Sequence, residues 1–387
     1  MSGPPAARPP SLGTVLREWG RIGCIGFGGP PAHIKLLRDL CVQRRGWLSA
    51  REFEDAIAAC NLLPGPASTQ LAIFCAWRVR GRLGALAGGA AFIVPGLIVI
   101  LGLAALFLGG SPPLWVLGAG AGAGAAVPAV AVQAGTSLAG PSWQRRKHAL
   151  RWLLYLAAGA ASAATIGPWL VLVLLGCGAI ELAAQHAGQD ARAHGILAAP
   201  LLASGALASG VLLSVAWVAF KVGALSYGGG FVIIPLMQSD AVNHYHWMTS
   251  AEFLNAVALG QVTPGPVVQT VAVVGSAAAG HVGGLFASLV AFSPSFAFIL
   301  FGASRFDRIR DNRHAQGFLA GAGPAAIGAI LGSAIPLARA LTQPWQYAVL
   351  AAALILLLAL RRGVVLTLVS AGVVGTVIAV AGGPLPH

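Results

Sequence analysis

Charged residues are scarce in this chain. They make up 9% of its 387 residues, whereas 57% are hydrophobic and the mean hydropathy is +0.79. A soluble domain carries roughly 25% charged residues, so the composition excludes an ordinary soluble protein. The apolar runs at 83–108 and 317–341 are longer than the roughly 20 residues that a helix needs to cross hydrocarbon. The composition therefore predicts an all-α polytopic membrane protein.

Patterns typical of metal sites and enzymes are also missing. The five cysteines form no CxxC pair and no His-spaced cluster, so we expect free, buried thiols and no bound metal. No Ser/His/Asp arrangement has a supporting context, which makes an intramembrane enzyme the least favoured class and predicts no cofactor. The net charge of +13 comes from Arg residues in short loops, so membrane topology explains it better than nucleic-acid binding.

The sequence repeats itself at an offset of 200 residues. Trp47 recurs as Trp247, and the Pro-Gly-Pro motif at 64–66 recurs at 264–266. The same offset also pairs Gly84 with Gly284. An internal repeat of this kind predicts two copies of one structural unit. The expected organisation is a Pro-rich tail at 1–11, a first repeat at 12–185, a polar linker at 186–195 and a second repeat at 196–387.

Charge placement predicts how the two copies lie in the membrane. Residues 35–51 carry five Lys or Arg residues, whereas the matching stretch 235–251 carries none. By the positive-inside rule, equivalent loops then lie on opposite faces, so the repeats have inverted topology. Inversion needs an odd number of crossings per copy, and we expect about five. In the first copy these are one within 12–46, then 83–108, 114–133, 152–167 and 169–184.

The segments around each Pro-Gly-Pro motif are too short to cross the membrane. Residues 51–63 and 67–79 in the first copy, and 251–263 and 267–279 in the second, are each 13 residues long. Hydrocarbon about 30 Å thick is beyond their reach. We therefore expect a re-entrant hairpin in each copy, with the two tips meeting near the midplane.

The two tips are the predicted substrate site. Proline suits the first turn of a helix and donates no N–H, while the next N–H groups remain free to bind an anion at the positive end of the helix dipole. Secondary transporters bind substrate at such discontinuous helices. Purely structural breaks are the alternative. The candidate ligands are the tip residues Pro64, Gly65, Pro66, Pro264, Gly265 and Pro266, together with Asn61, Ser68, Thr69, Gln70, Gln261, Thr263, Gln269 and Thr270.

Other candidates lie outside the tips. His33 and Lys221 are cationic side chains at membrane depth, where charge is costly, although either could extend to the interface. Glu52 and Glu252 are candidates for proton coupling, with helix capping as the alternative. A glycine-rich motif in each copy either approaches substrate or permits close helix packing. The residues considered there are Gly28, Gly29, Ser226, Tyr227, Gly228 and Gly229.

Two pairs of motifs carry a family resemblance. "GFGGPPAHI" with "NLLPGP" in the first copy, and "SYGGGFVIIPLM" with "LGQVTPGP" in the second, resemble the long-chain, two-domain type of the chromate ion transporter family. The resemblance implies a multi-pass protein of the inner (plasma) membrane that exports chromate and confers chromate resistance. It also implies that sulfate is the competing anion. The family motifs map onto 26–33, 64–66, 226–230 and 264–266.

Two alternatives to chromate export stay open. One is a transporter of sulfate or another oxyanion, because sulfate and chromate are both tetrahedral dianions. The other is an anion channel built from paired re-entrant hairpins. The expected partners are chromate or sulfate and the lipid bilayer, with a homodimer as an open alternative and no nucleic acid.

Overall fold

The structure is a computed structural model that describes residues 10–63, 65–165, 170–186, 210–226, 231–303 and 312–386. Within these ranges the chain is helical and contains no strand. Four helices are long and apolar enough to cross a membrane: Ala67–Phe107, Leu114–Gln144, Val267–Gly302 and Arg313–Arg339. The prediction of an all-α membrane protein is confirmed.

The first half begins with a broken helical segment. Helix α1 (Leu12–Ile25) and helix α2 (Pro30–Arg38) are separated by four residues, two of which are Gly28 and Gly29 with φ of 97° and 72°. Glycine adopts such positive φ values without steric cost, so the glycine-rich motif supplies the break. Helix α2 continues as a π-helical turn at Asp39–Arg44.

The first Pro-Gly-Pro motif lies between two helices. Helix α3 (Ala50–Leu62) ends just before it, and helix α4 (Ala67–Phe107) begins just after it. Helix α4 has non-helical dihedral angles at Arg80 and Gly81, which divide it into a short arm and a long apolar part. The remaining helices of this half are α5 (Leu114–Gln144), α6 (Ala149–Thr165) and α7 (Leu170–His186).

The second half contains seven described helices in the same general order. Its local structures repeat those of the first half, including a π-helical turn at Ser239–His244. The helices are α8 (Val211–Leu225), α9 (Ile233–Gln238), α10 (Ser250–Val262), α11 (Thr270–Gly302, preceded by a 3₁₀ turn at Val267–Gln269), α12 (Arg313–Arg339), α13 (Pro344–Leu354) and α14 (Val364–Val380).

After the tips, corresponding features lie 199 residues apart instead of the 200 expected from the sequence. The break at Arg80-Gly81 corresponds to the break at Ala279-Gly280, and Pro95 inside α4 corresponds to Pro294 inside α11. The cause is one residue fewer after the second motif, where V-V-Q replaces A-S-T-Q. Three residues of 3₁₀ helix rise about 6 Å, as do four residues of α-helix. The 3₁₀ turn therefore compensates for the missing residue.

Helices α4 and α11 pack against each other, α1 packs on α4, and α8 packs on α11. The contact between α1 and α4 and the contact between α8 and α11 each need a glycine. A Cβ atom on Gly23 would lie 2.7 Å from the carbonyl oxygen of Phe92, and one on Gly223 would lie 2.0 Å from that of Ala291. Small residues thus bring α1 and α8 close to the long helices. Helix α5 packs against α10, α12, α13 and α14, while α12 also packs against α6 and α7.

The cysteines agree only in part with expectation. Four of the cysteines are buried as expected, but Cys24 is exposed because it lies on the outward face of α1. The tail at 1–11 and the linker at 186–195 fall almost entirely outside the described residues. Those domain boundaries remain predictions.

Candidate functional site

The second tip is hydrogen-bonded to helices of the first half. The N–H of Gly265 donates to the carbonyl oxygen of Gly26 at 3.0 Å. The Nε2 of Gln269 donates to the carbonyl oxygen of Ile93 at 2.7 Å. A Cβ atom on Gly96 would lie 2.0 Å from the Pro264 carbonyl oxygen, so only glycine fits there. The second tip therefore lies between the end of α1 and the long part of α4.

The first tip lies against helices of the second half. Gly65 has a φ of 119°, and a Cβ atom placed on it would lie 3.3 Å from the Gly223 carbonyl oxygen and 3.4 Å from the Ser295 Oγ. The same position lies 2.6 Å from the Nε2 of Gln70. Gly223 belongs to α8 and Ser295 to α11. Each tip thus contacts the opposite half of the chain, so the site lies at the interface between the halves.

His33 connects the two tips. Its Nδ1 lies 3.3 Å from the Ser68 Oγ at the start of α4, and its Nε2 lies 2.9 Å from the carbonyl oxygen of Gly26. That carbonyl also accepts the N–H of Gly265. Because a carbonyl only accepts, the Nε2 of His33 must carry a proton, while the Ser68 hydroxyl can donate to Nδ1. The His33 side chain is fully buried.

Several buried polar atoms near the tips have no hydrogen-bond partner among the described residues. A buried polar group without a partner is costly and uncommon in native proteins, and a bound ion or water usually explains it. These side chains therefore provide hydrogen-bonding capacity that the described part of the protein does not use. The atoms at or beside the tips are Thr69 Oγ1, Gln261 Nε2, Gln269 Oε1 and Ser295 Oγ, and Ser226 Oγ at the end of α8 is also unpartnered.

Other predicted ligands have different environments. The hydroxyls of Thr263 and Thr270 donate to the carbonyl oxygens of Gly260 and Val267 in their own segments, at 3.4 and 2.9 Å. Asn61 is exposed, in contrast to its counterpart Gln261.

The glycine-rich motif and the flanking prolines are only partly close to the tips. Gly29 is buried, and a Cβ atom there would lie 3.6 Å from Val267 at the second tip, whereas Gly28 is exposed. Pro66 and Pro266 are buried and cap the segments that follow them. Four predicted residues lie outside the described part of the chain: Pro64, Tyr227, Gly228 and Gly229.

The predicted cation Lys221 is paired away from the tips. Its Nζ lies 2.6 and 2.8 Å from the two carboxylate oxygens of Asp240, and Trp217 lies beside it with its ring centroid 5.6 Å away. Asp240 belongs to the π-helical turn after α9. The pair therefore connects α8 to this turn and neutralises the charge of Lys221.

The two predicted coupling residues form helix caps. Glu52 accepts the N–H of Ser49, Glu252 accepts the N–H of Thr249, and both complete capping boxes. Glu52 also pairs with Arg78 on the arm of α4. The Ser49 N–H, with help from Arg78, holds the pKa of Glu52 below its usual value. Both carboxylates lie at the starts of their helices, whereas the tips follow the other ends of these helices.

Ser295 lies outside the sequence motifs. At an offset of 200 its partner is Pro95, which provides no indication of a role. At the offset of 199 seen in the structure its partner is Gly96, and each residue follows the proline inside its long helix. Each therefore lies beside the tip of the opposite half.

The family profile described as "Chromate transporter" matches residues 13–182 and 213–376. The chain belongs to the chromate transporter family. Each matched segment contains one Pro-Gly-Pro motif. Membership supports a transport role in a membrane and suggests that the protein is not an enzyme.

Curated relatives from the chromate transporter family match most of this chain. The probable chromate transport protein of Synechococcus elongatus is 29% identical over 343 residues, which cover 85% of each chain. The chromate transport protein of Cupriavidus metallidurans is 30% identical over 325 residues, which cover 82% of this chain and 80% of that protein. That of Pseudomonas aeruginosa is 29% identical over 348 residues, with 86% and 82% covered. No solved structure matches the chain significantly.

Proposed function

We propose that this protein exports chromate from the cytoplasm across the inner membrane and thereby confers chromate resistance. The observation that carries the proposal is the set of buried, unpartnered polar atoms at two Pro-Gly-Pro tips. Curated relatives described as chromate transport proteins match over four fifths or more of the chain. A tetrahedral oxyanion accepts hydrogen bonds from all sides, which suits the donors among these atoms, namely the hydroxyls of Thr69 and Ser295 and the amide nitrogen of Gln261.

The proposed architecture is a pair of inverted repeats, each with about five crossings and one re-entrant hairpin. The π-helical turns, capping boxes and helix breaks that recur 199 or 200 residues apart support the repeat. The reversal of Lys and Arg content between 35–51 and 235–251 supports inversion. Helices α3 and α10, with 13 residues each, are too short to span hydrocarbon.

Helix dipoles contribute to anion binding at the tips. Helix α4 starts immediately after Pro66, and the segment leading into α11 starts after Pro266. Aligned peptide dipoles place about half a positive charge at a helix N-terminus. A divalent oxyanion is therefore stabilised at either tip without a cationic side chain, which agrees with the pairing of Lys221 elsewhere.

Membrane potential favours export. A dianion that leaves a cell with a negative interior gains about 2 × 2.3 kcal/mol per 100 mV. Outward movement therefore needs no coupled ion, although exchange for another anion satisfies the same energetics. Uptake against the potential would need coupling.

Flux in proteoliposomes tests this function. Chromate movement is followed while a potassium gradient with valinomycin sets the membrane potential, and sulfate is added as a competitor. We expect saturable chromate flux that accelerates with potential of the correct sign. Sulfate flux without chromate flux would identify a different oxyanion transporter, and flux that does not saturate would indicate a channel. No flux under any potential or anion gradient would contradict the proposal.

A further inference from the structure

The two hairpins differ in how their first helices are covered. On α3, Glu54, Ala58 and Asn61 are exposed and share one helix face, because they are spaced by four and three residues. The equivalent residues of α10 are Leu254, Ala258 and Gln261, with exposures of 2%, 2% and 6%. One hairpin therefore has an open face leading to its tip, while the other is enclosed.

The open face of α3 is polar. Glu54 pairs with Arg38 of α2 at 3.1 Å, and both side chains are exposed. Asn61 lies at the other end of the stripe, four residues before Gly65. Charged and amide side chains are costly against hydrocarbon, so such a stripe suits contact with water more than with lipid. The exposed stripe thus has polar residues at both ends, with the small Ala58 between them.

Two buried hydroxyls belong to residues around the first tip. The side chains of Thr69 and Ser295 are fully buried, and neither oxygen has a hydrogen-bond partner among the described residues. The Ser295 Oγ lies 3.4 Å from the position of a Cβ atom on Gly65. It therefore points at the start of α4, where the N-terminal peptide groups favour an anion.

The second tip has no exposed face on its first helix and no counterpart of the Ser295 hydroxyl, although Gln261 Nε2 and Gln269 Oε1 are buried there without a partner among the described residues. The N–H of Gly265 and the Nε2 of Gln269 already donate to carbonyl oxygens of the first half. Gly96, which has no side chain, takes the place that Ser295 has at the first tip. Its backbone is so close to Pro264 that a Cβ atom does not fit. The second tip is thus closed by hydrogen bonds and packing.

We infer that the first tip is the site that binds substrate in this conformation. A divalent tetrahedral oxyanion enters along the polar face of α3 and binds at the start of α4. Ser295, contributed by the opposite half, donates a hydrogen bond to it. This inference rests on the proposed function. It adds which tip binds the anion, the route to that tip and the side chain that donates to the anion. The arginine-rich stretch 35–51 precedes α3, so this route opens on the cytoplasmic side.

A matched pair of serine variants tests the ligand. Ser295→Ala removes the unpartnered hydroxyl, whereas Ser288→Ala removes a buried hydroxyl of the same helix that donates to the Gly284 carbonyl oxygen. Because Ser295→Ala loses a hydrogen bond to a charged group, we expect its KM for chromate to rise about tenfold. Ser288→Ala should keep the wild-type KM.

Thiol labelling tests the route without depending on transport. Asn61→Cys and Gln261→Cys are placed in a Cys24→Ser background, because Cys24 is the exposed native thiol among the described residues. We expect a maleimide to label position 61 about tenfold or more faster than position 261, since accessibility governs the reaction. Equal rates would overturn the proposed route.

The outcomes separate the two proposals. If the wild type transports chromate and Ser295→Ala matches Ser288→Ala in KM, the inference about the first tip fails while the proposed function stands. If the wild type does not transport chromate, both fail. A raised KM in Ser295→Ala alone, together with selective labelling at position 61, supports both.

Discussion

His33 contacts both the start of α4 and the carbonyl oxygen that accepts a hydrogen bond from the second tip. One ring nitrogen lies beside Ser68, and the other binds the oxygen of Gly26. Phe92 packs edge-on against the ring at a centroid distance of 5.0 Å. His33 therefore links the start of α4 to the backbone carbonyl that holds the second tip.

Replacing His33 tests this connection. His33→Ala removes both hydrogen bonds and leaves a cavity beside Phe92, so we expect chromate flux to fall by about tenfold or more. His281→Ala is a suitable control, because His281 is exposed on α11. Flux and membrane abundance are measured for both variants. Wild-type flux in His33→Ala at equal abundance would exclude a role for this residue in transport.

Glu52 offers a test of proton coupling. Its lowered pKa, caused first by the Ser49 N–H, keeps the carboxylate ionised at neutral pH and favours the capped helix above the ordinary carboxyl range. This contribution to stability is lost only as the pH falls through the lowered pKa. Glu52→Gln should therefore leave the shape of the flux profile unchanged between about pH 6 and about pH 8. The profile is measured at clamped potential, and a Glu52-dependent change in this range would restore a coupling role.

At the scale of single residues, the sequence motifs include only part of the candidate site. The motifs indicated Thr69, Gln261 and Gln269, which are buried at or near the tips with unused hydrogen-bonding atoms. They did not indicate Ser295, because its position beside Gly65 comes from packing between halves that are far apart in sequence. Nor could the sequence show that Lys221 is neutralised by Asp240, because that pair joins two different elements.

At the scale of elements, helices α4 and α11 determine the position of the tips. Both begin at a Pro-Gly-Pro motif, break after a short arm and continue as long apolar helices. The sequence predicted the arms well, since 67–79 and 267–279 end at the observed breaks. It missed the change of offset from 200 to 199, because a single missing residue is compensated by 3₁₀ geometry.

The contact between α4 and the second tip is sensitive to one methyl group. Gly96→Ala would place Cβ 2.0 Å from the Pro264 carbonyl oxygen, so the tip must move. Overpacking of this kind costs typically about 1–3 kcal/mol, and we expect a lower Tm with reduced chromate flux. Gly102→Ala on the same helix is the control, because no atom lies within 4 Å of its Cβ position. Equal Tm and flux in the two variants would contradict the close approach.

At the scale of the whole molecule, composition and repeats predicted the class of protein and its two halves. They could not predict the interlocking, in which each tip contacts the opposite half through contacts such as Gly65 with Ser295 and Gly265 with Gly26. Sequence similarity between copies identifies equivalent residues. It carries no information on which residues of one copy pack against the other copy. Only the three-dimensional structure shows those contacts.

Inverted topology predicts different accessibility for equivalent loops. Gln43 and Asn243 are 200 residues apart, and both are exposed in the π-helical turns. In intact cells, with Cys24→Ser as background, a thiol reagent that does not cross membranes should label Asn243→Cys but not Gln43→Cys. Labelling after lysis should reach both. Labelling of both positions in intact cells, or of neither, would contradict the inverted arrangement.

The location of bound chromate tests the central claim most directly. Crystals of the protein grown with chromate would be measured at the chromium absorption edge, where anomalous scattering identifies chromium. We predict one strong site between the two halves, at the start of α4 and within hydrogen-bond distance of Ser295. A chromium site on the membrane-facing surface or in a peripheral loop, with none at either tip, would contradict transport through the Pro-Gly-Pro tips.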